Sequence, residues 1–376
     1  MRKLIVSLVG LLILAGGMAQ AGPLSIASPQ DGPSPGGISS DNVEWIKHFP
    51  LTDGVGGRIV GKYFYVNDQN KIMIFDISKP EDPQLLDFYL MPQEWLFGRE
   101  DLDTNGSILV ASNLSSVYIL DVEDKTNIQL LAQTTGGQHT QSCILDCKWA
   151  YGSNGAIHDL RNPAKPVHLD EKWNTGLPGA NGHDVNEIAP GIVLTSTQPM
   201  MLLDARKDPV HPKVLSLGSN EDARFIHSSI WPRGGKDKFV LAGGETNFQV
   251  RCNERNGAFM TWDASRWKKT HSFTMIDEYR MVNGTYVDGN PAANQVGCSS
   301  HWLEANPKFK NGGIVAGAFF EHGTRFIDVS SKGKIKEVGY FMPAAGSTGA
   351  VYWVTDEIVY AVDYNRGLDI LRFTGK

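Results

Sequence analysis

The chain has 376 residues, 35 Lys and Arg against 41 Asp and Glu, and a formal net charge of −6. A mildly acidic composition without a basic run argues against nucleic acid or an anionic membrane as partner. The 40 glycines and the 10% of aromatic residues fit a turn-rich, well-filled core and not disorder, and the length allows two ordinary domains or one large repeat ring.

The chain begins MRKLIVSLVGLLILAGGMAQAGPL. Arg2 and Lys3 precede an apolar run from Leu4 to Gly17, and Ala19-Gln20-Ala21 supplies the small residues of a cleavage site. This is the layout of a secretory signal peptide over residues 1–21, which sends the mature protein to the periplasm or out of the cell. The apolar run is short for a span of about 20 residues and no stop-transfer charges follow it, so no membrane span is expected after cleavage. Residues 22–42, rich in Pro, Gly and Ser, read as a flexible leader.

From Val43 onward one unit recurs: two apolar residues, an Asp, a small residue, a turn containing Pro or Lys, and a further apolar strand. It appears as KIMIFDISKPEDPQLLDFYL, SVYILDVEDKTNIQLLAQT, GAIHDLRNPAKPVHLDEKW, PMMLLDARKDPVHPKVLSLG, GAFMTWDASRWKKTHSF and GTRFIDVSSKGKIKEVGYF. The anchoring acids are Asp76, Asp121, Asp159, Asp204, Asp263 and Asp328, and a truncated copy, GLDILRF, carries Arg372 in their place. Most intervals are close to the roughly 40–50 residues of a four-stranded blade, and two longer ones hold insertions. Two β-rich runs precede each anchor and helical periodicity is nearly absent. The prediction is an all-β fold over residues 43–376, a seven-bladed β-propeller. Its last blade is short of one strand, which Val43–Leu51 supplies from the N-terminal side. The repeated Asp is expected to bond backbone amides in its own turn.

The segments IFDISKPEDPQLL, FIDVSSKGKI and YILDV resemble the LVIVD-repeat propeller family over nearly the whole mature chain. That resemblance implies a secreted propeller without one settled chemistry. More distantly, a secreted propeller with axial histidines is similar to the copper-dependent methanethiol oxidases, also called selenium-binding proteins. The likeness is one of architecture, and it carries none of that family's catalytic residues over.

Four histidines hold the same place in consecutive units. His139, His183, His227 and His301 each stand at the start of the innermost strand, where the other units have Gly56, Glu100–Asp101 and Gly346–Gly349. Innermost strands line the channel and start on one face, so these imidazoles are expected to converge there. The turns between second and third strands open on the same face and place Gln198, Glu245, Glu321 and His322 near it. Converging imidazoles and carboxylates suit a transition metal, copper first with iron or zinc as alternatives, and not calcium or magnesium. The ligands are predicted to be His139, His183, His227 and His301. Glu245 or Glu321 would be orienter or general base, and His322 would steer a substrate.

Cys143 and Cys147 flank a tight turn, and Cys252 and Cys298 lie in the two insertions, so the expected disulfides are 143–147 and 252–298. A rival reading makes Cys143 a metal ligand on the same strand face as His139. No GxSxG elbow, Walker loop, dinucleotide glycine pattern or HExxH helix is present. The resulting expectation is an exported metalloprotein with oxidase-type chemistry at copper or iron. Its alternative is a non-catalytic scaffold that recruits a protein or a glycan, through loops such as WPRGG and DASRWKK.

Overall fold

The computed structural model describes residues 37–68, 71–91, 100–178, 180–219, 225–245, 255–281, 299–344 and 346–375. The expected signal peptide, most of the leader, and Cys252 and Cys298 lie outside them. Strands β1 (Gly37–Ser39) and β2 (Val43–Pro50) come first. The first repeat unit follows as β3 (Gly54–Val60), β4 (Tyr63–Asp68), β5 (Lys71–Asp76) and β6 (Gln84–Leu90). The second is β7 (Leu102–Thr104), β8 (Ile108–Ser112), β9 (Ser116–Asp121) and β10 (Gln129–Thr135). Next come β11 (Gln141–Ile144), β12 (Trp149–Gly152), β13 (Ile157–Asp159) and β14 (Val167–His168). Then follow β15 (Ala180–Ala189), β16 (Ile192–Gln198), β17 (Met201–Asp204) and β18 (Lys213–Gly218). A fifth unit has β19 (Ser228–Ile230), β20 (Phe239–Gly243), β21 (Phe259–Asp263) and β22 (Ser272–Tyr279). The chain finishes with β23 (Leu303–Ala305), β24 (Gly313–Ala318), β25 (Thr324–Val329), β26 (Ile335–Pro343), β27 (Thr348–Trp353), β28 (Ile358–Asp363) and β29 (Gly367–Phe373).

Within each unit the strands pair antiparallel in sequence order. The fourth and fifth units merge into one eight-stranded sheet through a short parallel contact, Leu217 opposite Ser272 and Gly218 opposite Phe273. The first strands touch one another in turn, β3, β7, β11, β15, β19, β23, β27 and again β3, so they close a ring. At the closure, β2 pairs antiparallel with β29, from Val43 opposite Phe373 to Pro50 opposite Gly367. The strand expected from the N-terminal side therefore completes the sheet of β27, β28 and β29.

Burial follows from this order. β4 and β28 are apolar except at their last residues, Asn67–Asp68 and Asp363, and almost wholly buried, because a sheet packs on each of their faces. Fourth strands such as β6 and β10 alternate between half-buried and exposed, as the outer edge of a sheet should. The core lies between neighbouring sheets. Phe64, Met73 and Phe75 of the first unit pack with Phe49, Tyr360, Leu368 and Ile370 of the last sheet. The anchor Asp ends the third strand and caps the turn after it. Asp76, Asp121, Asp159, Asp204 and Asp263 each accept the amide two residues on, at 2.7–3.1 Å.

The end of the leader departs from expectation. Gly37–Ser39 pairs with β26 and Asn42 Nδ2 donates to Val338 O at 2.8 Å, because the outer edge of β26 offers unpaired backbone groups. Cys143 and Cys147 form a disulfide across the turn after β11, which removes Cys143 from any ligand set. The second expected disulfide falls outside the described residues. No helix among the described residues is long and apolar enough to cross a membrane.

Candidate metal centre

The ring of first strands brings the predicted histidines together. His139, His227 and His301 directly precede β11, β19 and β23 or stand within two residues of them, and His183 lies in the first turn-like half of β15. Each is tied to its neighbour through the backbone. Thr140 Oγ1 donates to His183 O at 2.6 Å, and Ser228 Oγ donates to His301 O, so hydroxyls beside one imidazole fix the strand that carries another. This is a structural task for Ser228, not a nucleophile's.

The rings follow one another around the axis. Centroid separations are 4.9 Å for His139–His183, 3.7 Å for His183–His227 and 3.9 Å for His227–His301. All four Nε2 atoms face a single carboxylate, Glu100, at the matching place of the second unit. His183 Nε2 is 3.2 Å from Oε2, while His227 and His301 Nε2 are 2.8 and 2.6 Å from Oε1. His139 Nε2 is in direct contact with Oε2. Trp302 Nε1 donates to Glu100 Oε1 at 2.9 Å. Gly56 explains why the first unit has no side chain here: a Cβ on it would lie 2.3 Å from Glu100 O.

Two features separate this cluster from an ordinary buried hydrogen-bond network. His301 Nδ1 lies 2.6 Å from Gly349 O, an acceptor only, so Nδ1 carries a proton there. In neutral His301 the Nε2 lone pair then points at a carboxylate oxygen 2.6 Å away. With no metal bound a proton must bridge this pair, which leaves His301 an imidazolium in the middle of a buried histidine cluster. Secondly, His227 is fully buried and neither ring nitrogen has a hydrogen-bond partner of good geometry, nor has His183 Nδ1.

The electrostatics agree. Burial works to raise the Glu100 pKa, yet His227, His183, His301 and His139 together hold it well below the usual carboxylate range. Burial, then His183 and His301, drives His227 well below the ordinary imidazole value. For His301 burial is outweighed by Glu100, Glu245 and the Gly349 carbonyl, and the pKa rises. Four imidazoles around an ionised carboxylate form a donor set that a divalent transition metal fits once it displaces the proton that His301 holds toward Glu100.

Glu245 belongs here: one of its oxygens lies within 4.8 Å of donor nitrogens of His183 and His227. Burial raises its pKa, helped by Glu100 and opposed by the imidazoles. Glu321 and His322 are not brought into the donor set. Both are buried in the turn between β24 and β25, where His322 N donates to Phe319 O and Glu321 Oε1 accepts Ser347 Oγ at 3.5 Å. Their neighbour Phe320 reaches the site instead, its ring 4.4 Å from that of His301. Phe225 stands edge-on to His183 and Tyr364 stacks on Phe320. The His139 side chain is 28% exposed against 0% for His227, so solvent reaches the cluster from the His139 side.

Below the cluster a cavity of about 480 Å³ follows the channel, lined by Arg58, Asp101, Asp184, Glu304, Trp302 and Tyr352. Arg58 Nε is 2.8 Å from Asp103 Oδ1. Burial pushes Asp184 and Glu304 up to about 7, which makes this a polar and weakly charged passage.

Sequence reasoning missed two residues of the site, Glu100 and Trp302. Glu100 was visible as the residue aligned with the histidines. Trp302 carried no signal beyond following His301.

No protein family profile and no curated protein matches this chain. Solved structures do resemble it. The crystal structure of RRP9 WD40 repeats aligns with a TM-score of 0.60 at 9% identity, covering 89% of this chain and 98% of that one. The structure of U3-55K gives 0.59 at 9% identity, with 88% and 98% covered. KlHsv2 with loop 6CD replaced by a Gly-Ser linker gives 0.50 at 11% identity, with 83% and 90% covered. The fold is a β-propeller. At these identities the likeness carries nothing about chemistry.

Proposed function

We propose that this protein is an exported, metal-binding propeller of seven blades, related to the LVIVD-repeat proteins, and that it acts as a metal-dependent oxidoreductase. The ring of first strands supports the blade count, with the eight-stranded sheet taken as two blades. The basic start, apolar run and small-residue site support export.

The observation that supports the metal is the convergence of four imidazole Nε2 atoms on the single buried carboxylate of Glu100, with Glu245 beside them. His139, His183, His227, His301 and Glu100 would be the ligands. The carboxylate shifts the preference toward iron or copper(II) and away from a site made for a soft ion. A bound ion of this kind supplies redox or Lewis-acid chemistry. The chain's own residues do the rest. Gly349 O and Trp302 Nε1–H orient His301 and Glu100. Glu245, half-buried beside the donors with a raised pKa, is placed to hold or take a proton. Phe225, Phe320 and Tyr364 form an aromatic wall that favours a substrate with an apolar face.

Elemental analysis of the exported protein tests this reading. Wild type should hold close to one equivalent of iron or copper. His183→Ala/His227→Ala and Glu100→Gln should lose it while keeping the β-rich far-UV spectrum. Metal-free wild type after expression in metal-replete medium would overturn the reading.

A further inference from the structure

Two loops of the fifth unit, WPRGG and DASRWKK, take no part in the metal centre. They join first to second and third to fourth strands, so they lie at the opposite end of the sheet from the strand starts that carry the histidines. The structure brings them together. The first holds a short turn, Pro232–Gly235, with Arg233 and Gly234 in the left-handed region, and the second leads into a single helical turn, α1 (Trp267–Thr270). The Trp231 and Trp267 rings meet edge to face at 5.8 Å, and Trp231 Nε1 donates to Asp237 O at 2.7 Å. Between the loops lies a groove of about 630 Å³.

Its charge is opposite to that of the molecule. Lys236, Lys238, Arg266, Lys268 and Lys269 line it, in a chain whose net charge is −6. Lys236, Arg266, Lys268 and Lys269 are exposed, and among the described residues none of the four has an ion-pair partner. The nearest acids are turned to the backbone. Asp237 accepts Phe239 N at 3.1 Å and Asn311 N at 2.6 Å, and Asp263 accepts Ser265 N at 2.8 Å. Trp267 adds a half-buried aromatic surface beneath the cations, with Lys268 Nζ 5.7 Å from its ring centroid.

We propose that this groove is the docking site for an acidic segment of a partner protein. Unpaired cations on a concave wall attract an extended carboxylate-rich chain and speed its association. A membrane surface fits less well, because it calls for apolar side chains projecting between the cations. Among the described residues the exposed large apolar ones, Ile38, Leu90, Leu114, Leu130 and Val167, lie on other units. Docking here leaves the histidine face open, so both functions can run at once.

The test uses the full metal-loaded chain and a fluorescein-labelled oligo-glutamate peptide, read by anisotropy at low salt. Wild type should bind, and binding should fall steeply as salt rises. Lys236→Glu/Lys268→Glu/Lys269→Glu should weaken it by about tenfold or more, since reversal replaces attraction by repulsion at three positions. The milder Lys236→Gln/Lys268→Gln/Lys269→Gln should give part of that loss. Lys79→Glu/Lys172→Glu/Lys207→Glu, with the same net charge, should bind as wild type does. Metal content should be equal in all four proteins, which separates this proposal from the metal assignment. Absence of peptide binding, an equal loss in the control variant, or binding to phosphatidylglycerol vesicles in preference to the peptide would each overturn it.

Discussion

Trp302 and Glu100 belong to blades far apart in sequence, yet the indole N–H of one donates to the carboxylate of the other at 2.9 Å. This bond fixes the acid on which four imidazoles converge. Trp302→Phe keeps the ring and removes the donor. It should lower metal affinity about 10- to 100-fold, the usual range for an outer partner of a metal ligand, with unfolding unchanged in the apo protein. Competition with a chelator of known affinity measures it.

Gly56 is the place where the backbone of the first unit passes closest to Glu100. Gly56→Ala would set a Cβ 2.3 Å from Glu100 O, closer than real Cβ atoms come, so one of the two backbones must shift. Reduced metal occupancy together with a lower Tm is the expected result. An occupancy equal to wild type would mean that Glu100 tolerates the shift.

Phe49 comes from β2 and is 7% exposed, with its ring edge-on to Phe75 at 6.1 Å. It belongs to the core that joins the first unit to the last. Phe49→Ala should cost about 3–5 kcal/mol in denaturant unfolding, a large part of a typical domain's stability. A loss below about 1 kcal/mol would show that the closing strand matters little.

His158 supplies the pH dependence. It is buried in β13, and burial lowers its pKa to about 4 despite the Thr135 carbonyl 3.0 Å from Nε2. The unfolded chain, with an imidazole near 6.5, binds more protons between those values. The stability it supports is therefore complete above about 6.5 and is lost as pH falls toward 4, by up to about 3 kcal/mol. His158→Gln should remove that slope. Subtracting variant from wild-type stability at each pH isolates it, because Glu304, whose pKa burial raises to about 7, tilts both proteins alike in the other direction.

The architecture was readable because its signals are local and repeated. Five of the six anchor Asp residues mark the end of a third strand and cap their own turn, so five turns announced themselves in the residues that form them; Asp328 lies one residue short of the end of β25. The four histidines were readable for the same reason. Glu100 was passed over because the comparison sought one residue type at one position, whereas the chemistry needed a different type at the matching one. Glu321 and His322, expected near the ligands as orienter or base and as substrate guide, show a different limit. Placing a turn on a given face does not aim its side chains, and there His322 N closes the turn on Phe319 O while Phe320 turns toward His301. The loops WPRGG and DASRWKK were visible as possible contact loops, but only packing of Trp231 on Trp267 makes them two sides of one groove.

The pairing of β2 with β29 sets an order on events during biogenesis. Val43 must wait for Phe373, more than three hundred residues later, before its ladder exists. Until then the nascent polypeptide presents an unzipped margin at both extremities, and Glu100 is made well before His301 arrives to face it. If the proposed ion is bound, its full donor set would exist only once His301 has been made, and removal of β29 would open the seam that β2 closes.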